Sequence, residues 1–165
     1  MRRIATVLLA VLTLALGVAC AMLLLDYKAL HDSERSGTEA MAAARAVAPD
    51  LLSYDYRTVE QDLARAGRHT TGALTRYYRE LSGTLVAKAK AQKTVQTASV
   101  VAAAVERAEP GRVEVLLFVN TGTVKAITGK AEPQQQVSQN RARFVMVWQD
   151  SRWLVADLST LIGSA

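Results

Sequence analysis

Three acids, two histidines, one cysteine and a pair of arginines are the side chains with which this chain could do chemistry. Asp55 and Asp62 stand seven residues apart, and Asp157 alternates with Trp153 and Val155. A carboxyl held in an apolar cavity has a raised pKa and can transfer protons. The competing role of each acid is structural: Asp55 in a turn, Asp62 on a wet helix face, Asp157 at a sheet edge. His31 lies in a charged stretch, and His69 sits in Gly-Arg-His-Thr-Thr, a helix-connecting loop. Neither belongs to a nucleophile–base–orienter set. The chain has no Gly-x-Ser-x-Gly, phosphate loop, dinucleotide fingerprint or His-Glu-x-x-His. One cysteine, Cys20, cannot form an internal disulfide, and two histidines are poor material for a metal cluster. Arg141 and Arg143 read as solvent-facing strand residues rather than anion ligands. We therefore expect no catalytic, cofactor-binding or metal residues, no cofactor, and a protein that is not an enzyme.

The elements that must position these residues begin with an apolar run. Ile4 to Leu25 holds 22 residues without a charge. As a helix it would span about 33 Å, enough for a hydrocarbon core of about 30 Å. A cleaved signal fits less well, because the run continues past Ala19-Cys20-Ala21 through Leu25. A lipoprotein signal also fits less well, since Leu16 lies one place too far from Cys20. Arg2 and Arg3 precede the run, which by the positive-inside tendency keeps the N-terminus cytoplasmic. The division expected is 1–3 cytoplasmic, 4–25 a transmembrane signal-anchor, 26–48 a helical stalk or first domain helix, and 49–165 an extracytoplasmic domain. The localisation that follows is single-pass in the plasma membrane, with lipid contacting the N-terminal helix. Gly17 and Ala21 form a small-xxx-small pair, common in such helices.

Without Arg2 and Arg3 the remainder carries 18 basic against 15 acidic residues, too even a balance to suggest nucleic acid. Arg76, Arg79, Lys88, Lys90 and Lys93 against Glu80 read as a solvated helix face. Ala40, Met41, Ala44, Val47 and Ala48 recur at helical spacing, with Ser36-Gly37 a candidate hinge and Pro49 a candidate end. Thr58 and Gln61 match a capping box for a helix over 59–66 that ends at Gly67. Thr71 caps a longer helix with the stripe Leu74, Tyr77, Tyr78, Leu81 and Leu85.

From residue 94 the period becomes two. Strands are expected over 94–107, 113–119, 141–148 and 153–158, with turns at Glu109-Pro110-Gly111-Arg112 and Gln149-Asp150-Ser151-Arg152. Val113, Val115, Leu117 and Val119 form the more apolar face of the second strand. Asn120-Thr121-Gly122 would bend or bulge it, Thr123 to Thr128 would continue it, and the Gln-rich 129–140 reads as a long loop or mobile hairpin connection. Tyr77, Tyr78, Phe144, Trp148 and Trp153 fall at core-anchoring positions. Helices followed by antiparallel strands imply an α+β fold, with a curved sheet wrapping an apolar helix.

Leu51-Leu-Ser-Tyr-Asp-Tyr56, Val59-Glu-Gln-Asp-Leu-Ala-Arg-Ala66, Thr70-Thr-Gly72 before Tyr77 and Tyr78, Val113 to Asn120, and Arg152-Trp-Leu-Val-Ala-Asp-Leu158 together resemble the actinobacterial Mce-associated membrane proteins of the orphan type. The resemblance implies an NTF2-like/VirB8-like outer domain behind the anchor. It also implies a non-enzymatic accessory or stabilising subunit of a lipid-import complex, with Mce subunits or other inner-membrane transporter proteins as partners. Two alternatives stand beside it: a lipid-binding module using the helix–sheet cavity, with a lipid ligand, and a VirB8-like secretion scaffold.

Overall fold

A computed structural model describes the backbone of residues 2–126 and 132–161, and within it the side chains of 16–18, 20–24, 27–126 and 132–160. The elements run α1 (Arg2–Leu52), β1 (Tyr54–Asp55), α2 (Val59–Gly67), α3 (Gly72–Gln92), β2 (Val95–Glu109), β3 (Arg112–Lys125), β4 (Gln134–Gln149) and β5 (Arg152–Leu161). The five strands form one antiparallel sheet in chain order. The helices pack on one of its faces.

α1 is one helix of 51 residues. It runs through Ser36-Gly37 without a break, because Gly37 is a packing contact rather than a hinge. A Cβ on Gly37 would sit 3.3 Å from Ala108 Cβ and 3.7 Å from the Val105 methyl groups. Ala40, Ala44 and Ala48 continue the same stripe, each with no exposed surface, and Leu51 closes it. Four residues with little or no side chain bring the helix backbone close to β2. Pro49 stands in the last turn, where it withholds a single amide donor. The turn closes through Ser53 N–H, which donates to the Pro49 carbonyl at 3.0 Å.

The expectation of a transmembrane anchor over 4–25 is corrected. Among the described residues no helix is long and apolar enough to cross a membrane. Most side chains of that run, with Arg2 and Arg3, lie outside the described residues. The fold class is thus an α+β domain with helices on an open antiparallel sheet. The signal-anchor, the single-pass localisation and the lipid contact of an anchor fall with the span. Physically, the helix that begins at Arg2 carries on through Lys28, His31, Asp32, Glu34 and Arg35 and then onto the sheet.

Strand alternation places Val113, Val115 and Leu117 fully inside and Val119 nearly so. Phe144, Met146 and Val155 join them from β4 and β5. Each large side chain of this kind contributes on the order of 1.5–3 kcal/mol by burial. The β4–β5 connection is the expected two-residue turn, with Asp150 and Ser151 both at positive φ as a twisted hairpin requires. Two features differ from expectation. β3 passes straight through Asn120–Gly122, and residues 134–140, expected as loop, form the start of β4. Their composition is poor for a strand, but pairing with β3 from Val119 to Lys125 satisfies one edge of their backbone.

α3 is tied to α1 by a buried phenol. Tyr78 Oη donates to the Leu51 carbonyl at 2.8 Å, and burial pushes its pKa up. Two outcomes follow. Ala44→Leu forces three extra carbons into the helix–sheet contact and should destabilise by about 1–3 kcal/mol. A lower urea midpoint with an unchanged m-value would register it. Tyr78→Phe removes one buried hydrogen bond and should cost about 1 kcal/mol in the same experiment.

Candidate functional site

The acids singled out in the sequence do not converge. Asp55 ends β1, where both its oxygens accept from Arg57 Nε at 3.0 Å and Oδ1 also accepts from the Arg57 backbone N–H at 2.9 Å. Those hydrogen bonds hold its carboxyl down at about 2, the opposite of an acid poised to give up a proton. Asp62 is buried, but its oxygens are used structurally. They accept from Asp55 N–H at 3.0 Å, Thr58 Oγ1 at 2.9 Å and an Arg65 guanidinium nitrogen at 2.6 Å. Thr58 thus serves Asp62 rather than a helix cap. Asp157 is exposed and pairs in register with Val145.

His69 belongs to the same strapping. Its Nε2 lies 3.2 Å from Asp50, whose other oxygen meets Arg65 at 3.1 Å. The loop it heads also anchors β5: Val155 N–H donates to His69 O and Thr71 N–H donates to Val155 O, both at 2.9 Å. Thr71 Oγ1 reaches Gln149 at 2.9 Å. His31 is exposed on α1, far along the chain from this cluster. Among the described residues no group of three or more His, Cys, Asp or Glu is arranged to hold a metal.

The aromatics divide. Tyr78 and Phe144 are core, Trp153 is half-buried, and Tyr77 and Trp148 are exposed. Trp148 meets Trp153 edge-to-face at 5.5 Å. On α3 the basic residues are solvated as expected, and Lys90 bonds Glu60 of α2 at 2.6 Å.

The concavity of interest lies on the sheet face turned away from the helices. β2 carries register shifts at Val100/Ala102 and at Val105/Arg107. Each extra residue bends the strand and strengthens its twist. At the first, Val101 is left 60% exposed beside Phe118, itself 41% exposed. They floor a groove of about 530 Å³ with Ala102, rimmed by Asn120, Gln139 and Arg141. At the second, Glu106 turns toward β4 and takes the Arg143 guanidinium, one bond at 3.2 Å. That bond holds the Glu106 carboxyl below its usual range. Arg141, one position along the same face, has no ion pair among the described residues. The groove is therefore an apolar floor with amides and one uncompensated cation at its lip.

The helix side offers no such chamber among the described residues. α2 and α3 border a cleft of about 300 Å³, and the space on the inner face of the sheet, about 230 Å³, lies at its far end and is lined mainly by Thr121, Thr123, Gln136, Ser138 and Asn140. Between α1 and the sheet the space is filled by the core.

A family model described as "Uncharacterized protein Rv1363c/MT1408-like" matches residues 1–150. The Mycobacterium tuberculosis protein Rv1362c is 34% identical over 154 residues, which is 90% of this chain and 67% of that protein. In fold the chain is similar to an IcmL-like type IV secretion system protein of Legionella pneumophila, with a TM-score of 0.58 at 10% identity over 76% of this chain and 91% of that one. It is also similar to CagV of Helicobacter pylori, a VirB8 homologue of a type IV secretion system, with a TM-score of 0.57 at 8% identity over 74% and 96%. These likenesses give an NTF2-like/VirB8-like fold. The expected Mce partners are corrected: the two solved structures named are secretion-system proteins, and a fold this widely used does not carry a transport system with it.

Asp55 supplies a pH signature. A carboxyl whose folded pKa is depressed contributes stability above its unfolded value, about 3.9, and loses it as pH falls through the folded value. Wild type should therefore exceed Asp55→Asn in stability at neutral pH. The gap should close between about pH 4 and about pH 2 in paired denaturation curves.

Proposed function

The chain belongs to the Rv1363c/MT1408-like family, and from that premise we propose that it is a non-enzymatic protein–protein interaction module, a scaffold of the VirB8/NTF2-like kind. The observation that carries this reading is the contrast between the two faces of the sheet. The inner face is filled by Phe144, Leu117, Met146 and the valines, each essentially without exposed surface. The outer face leaves Val101 and Phe118 uncovered in a groove. A ligand-binding module of this architecture would keep an apolar chamber between helix and sheet. Among the described residues that space is occupied, which weighs against the lipid-binding alternative.

The groove fits an apolar segment of another protein bearing a carboxylate. Phe118 and Val101 would anchor its side chains, and Arg141 would meet its charge. Aromatic and arginine anchors dominate the energetics of such contacts. Arg143 is already neutralised by Glu106, so Arg141 is the residue whose charge selects.

The test is site-specific photo-crosslinking of the full chain in its native cells. A photoreactive residue at Phe118 should give a discrete adduct with another protein, and Arg141→Glu should reduce its yield at least about tenfold. The same probe at the exposed Arg79 on α3 should give none. Equal labelling from Phe118 and Arg79, or an adduct indifferent to Arg141→Glu, would sink the proposal.

A further inference from the structure

β2, β3 and β4 continue side by side past the described end of β5. β5 pairs with β4 only between Arg141 and Gln149. Among the described residues Gln134–Asn140 is therefore paired on one side alone, to β3. An edge of this length presents alternate backbone N–H and C=O groups to any incoming strand, and natural proteins blunt such edges with charge, proline or bulges. Here none of the three is present. The segment reads Gln-Gln-Gln-Val-Ser-Gln-Asn, Pro133 lies just before it, and its pairing with β3 has no register shift. Val137 at its centre is 80% exposed, because its cross-strand neighbour is Gly122, which has no side chain to cover it.

We propose that Gln134–Asn140 pairs antiparallel with the same segment of a second copy, about a two-fold axis at Val137, joining two sheets into one. The segment is self-complementary in that register. Val137 faces its own counterpart, which removes the most exposed of the described large apolar side chains from water. Gln136 faces Ser138, Gln135 faces Gln139 and Gln134 faces Asn140, pairs that can donate and accept in both directions. No charge in the segment repels a second copy, and none steers a charged partner toward it. Symmetric pairing of one patch with itself is the commonest solution for homo-oligomers. Seven residues of strand are a small interface, so the association is weak and reversible. The inference is independent of what the groove binds.

The full chain is kept monodisperse in mild detergent, as the exposed Leu16, Leu23 and Leu30 of α1 require. Sedimentation velocity is then followed over roughly a hundredfold concentration range. Wild type should pass reversibly from monomer to dimer. Val137→Lys and Val137→Glu set like charges opposite each other and should each weaken the dimer at least about tenfold, with unchanged circular dichroism. Mixing the two variants should restore a heterodimer, which a folding defect would not. A wild type that is monomeric throughout, a Val137→Lys variant that dimerises like wild type, or a mixture that stays monomeric would each overturn the proposal. The competing occupant is the chain's own segment 162–165. Dimerisation seen only in a chain cut after Leu161 would assign the edge to that segment instead.

Discussion

The closeness of α1 to the sheet is the constraint on which the rest depends. Gly37, Ala40, Ala44 and Ala48 leave no side chain long enough to hold the helix away, and Ala108 and Val105 meet it from β2. A helix seated this low leaves no room for a chamber beneath it. The volume goes instead to Phe144, Leu117 and Met146, which are fully buried on the inner face. Once α1 is placed, its last turn places everything else. Leu51 O receives the Tyr78 hydroxyl and so fixes α3, and Asp50 receives Arg65 and His69 and so fixes α2 with the loop that holds β5.

Because three helices share one face, no described element covers the other, and its character there is set by the strands. The two shifts in β2 decide what appears there. One pushes out Val101 and opens the groove, and the other presents Glu106 to Arg143. A regular strand would have left a flat surface on which Arg141 and Arg143 stood as equals. The irregularity separates them into one arginine that is neutralised and one that is not. Local backbone geometry thus sets the charge pattern of the surface, with no change in composition.

The legible parts of the fold were those governed by period. Val113, Val115, Leu117 and Val119 alternate, and the structure buries all four. The small residues at 40, 44 and 48 recur every four, and the structure sets them on the sheet. The turn at Asp150-Ser151 carries its own chemistry. What periodicity missed were effects decided across the sheet. Gln134 to Asn140 looks like loop because its side chains have no strand preference, yet a register shared with β3 overrides that preference. The shift at Val101 leaves no mark in a run of alanines and valines, so the groove was invisible even though alternation put Phe118 on the outer face. Asp55 reads in the sequence as a turn residue; that Arg57, two residues on, holds its pKa down is not legible there, because sequence gives no view of which way that guanidinium folds. The apolar run at 4–25 shows the limit of composition, which measures how greasy a segment is and not which continuous helix it belongs to.

A filled inner face changes what the fold can be used for. In an α+β domain of this shape, a helix standing off the sheet would make a chamber and invite a ligand. Here the small-residue stripe closes that option at the level of backbone distance, so substituting individual lining residues would not reopen it without moving α1. Among the described residues the larger resource is surface. It is of two kinds on the same strand: β4 offers Arg141 and Gln139 from its side chains toward the groove, and Gln134 to Asn140 from its backbone edge. The two differ in physical type. Side-chain recognition selects a partner by shape and charge, whereas edge pairing selects by register and tolerates little charge. Asn140 stands where they meet, bordering the groove while pairing with Val119, so a strand added at the edge would extend the groove's rim and lengthen the surface offered to a partner. Extended surfaces built by repetition are what a scaffold needs, and a chain with a closed core and an open edge can provide them without any pocket at all.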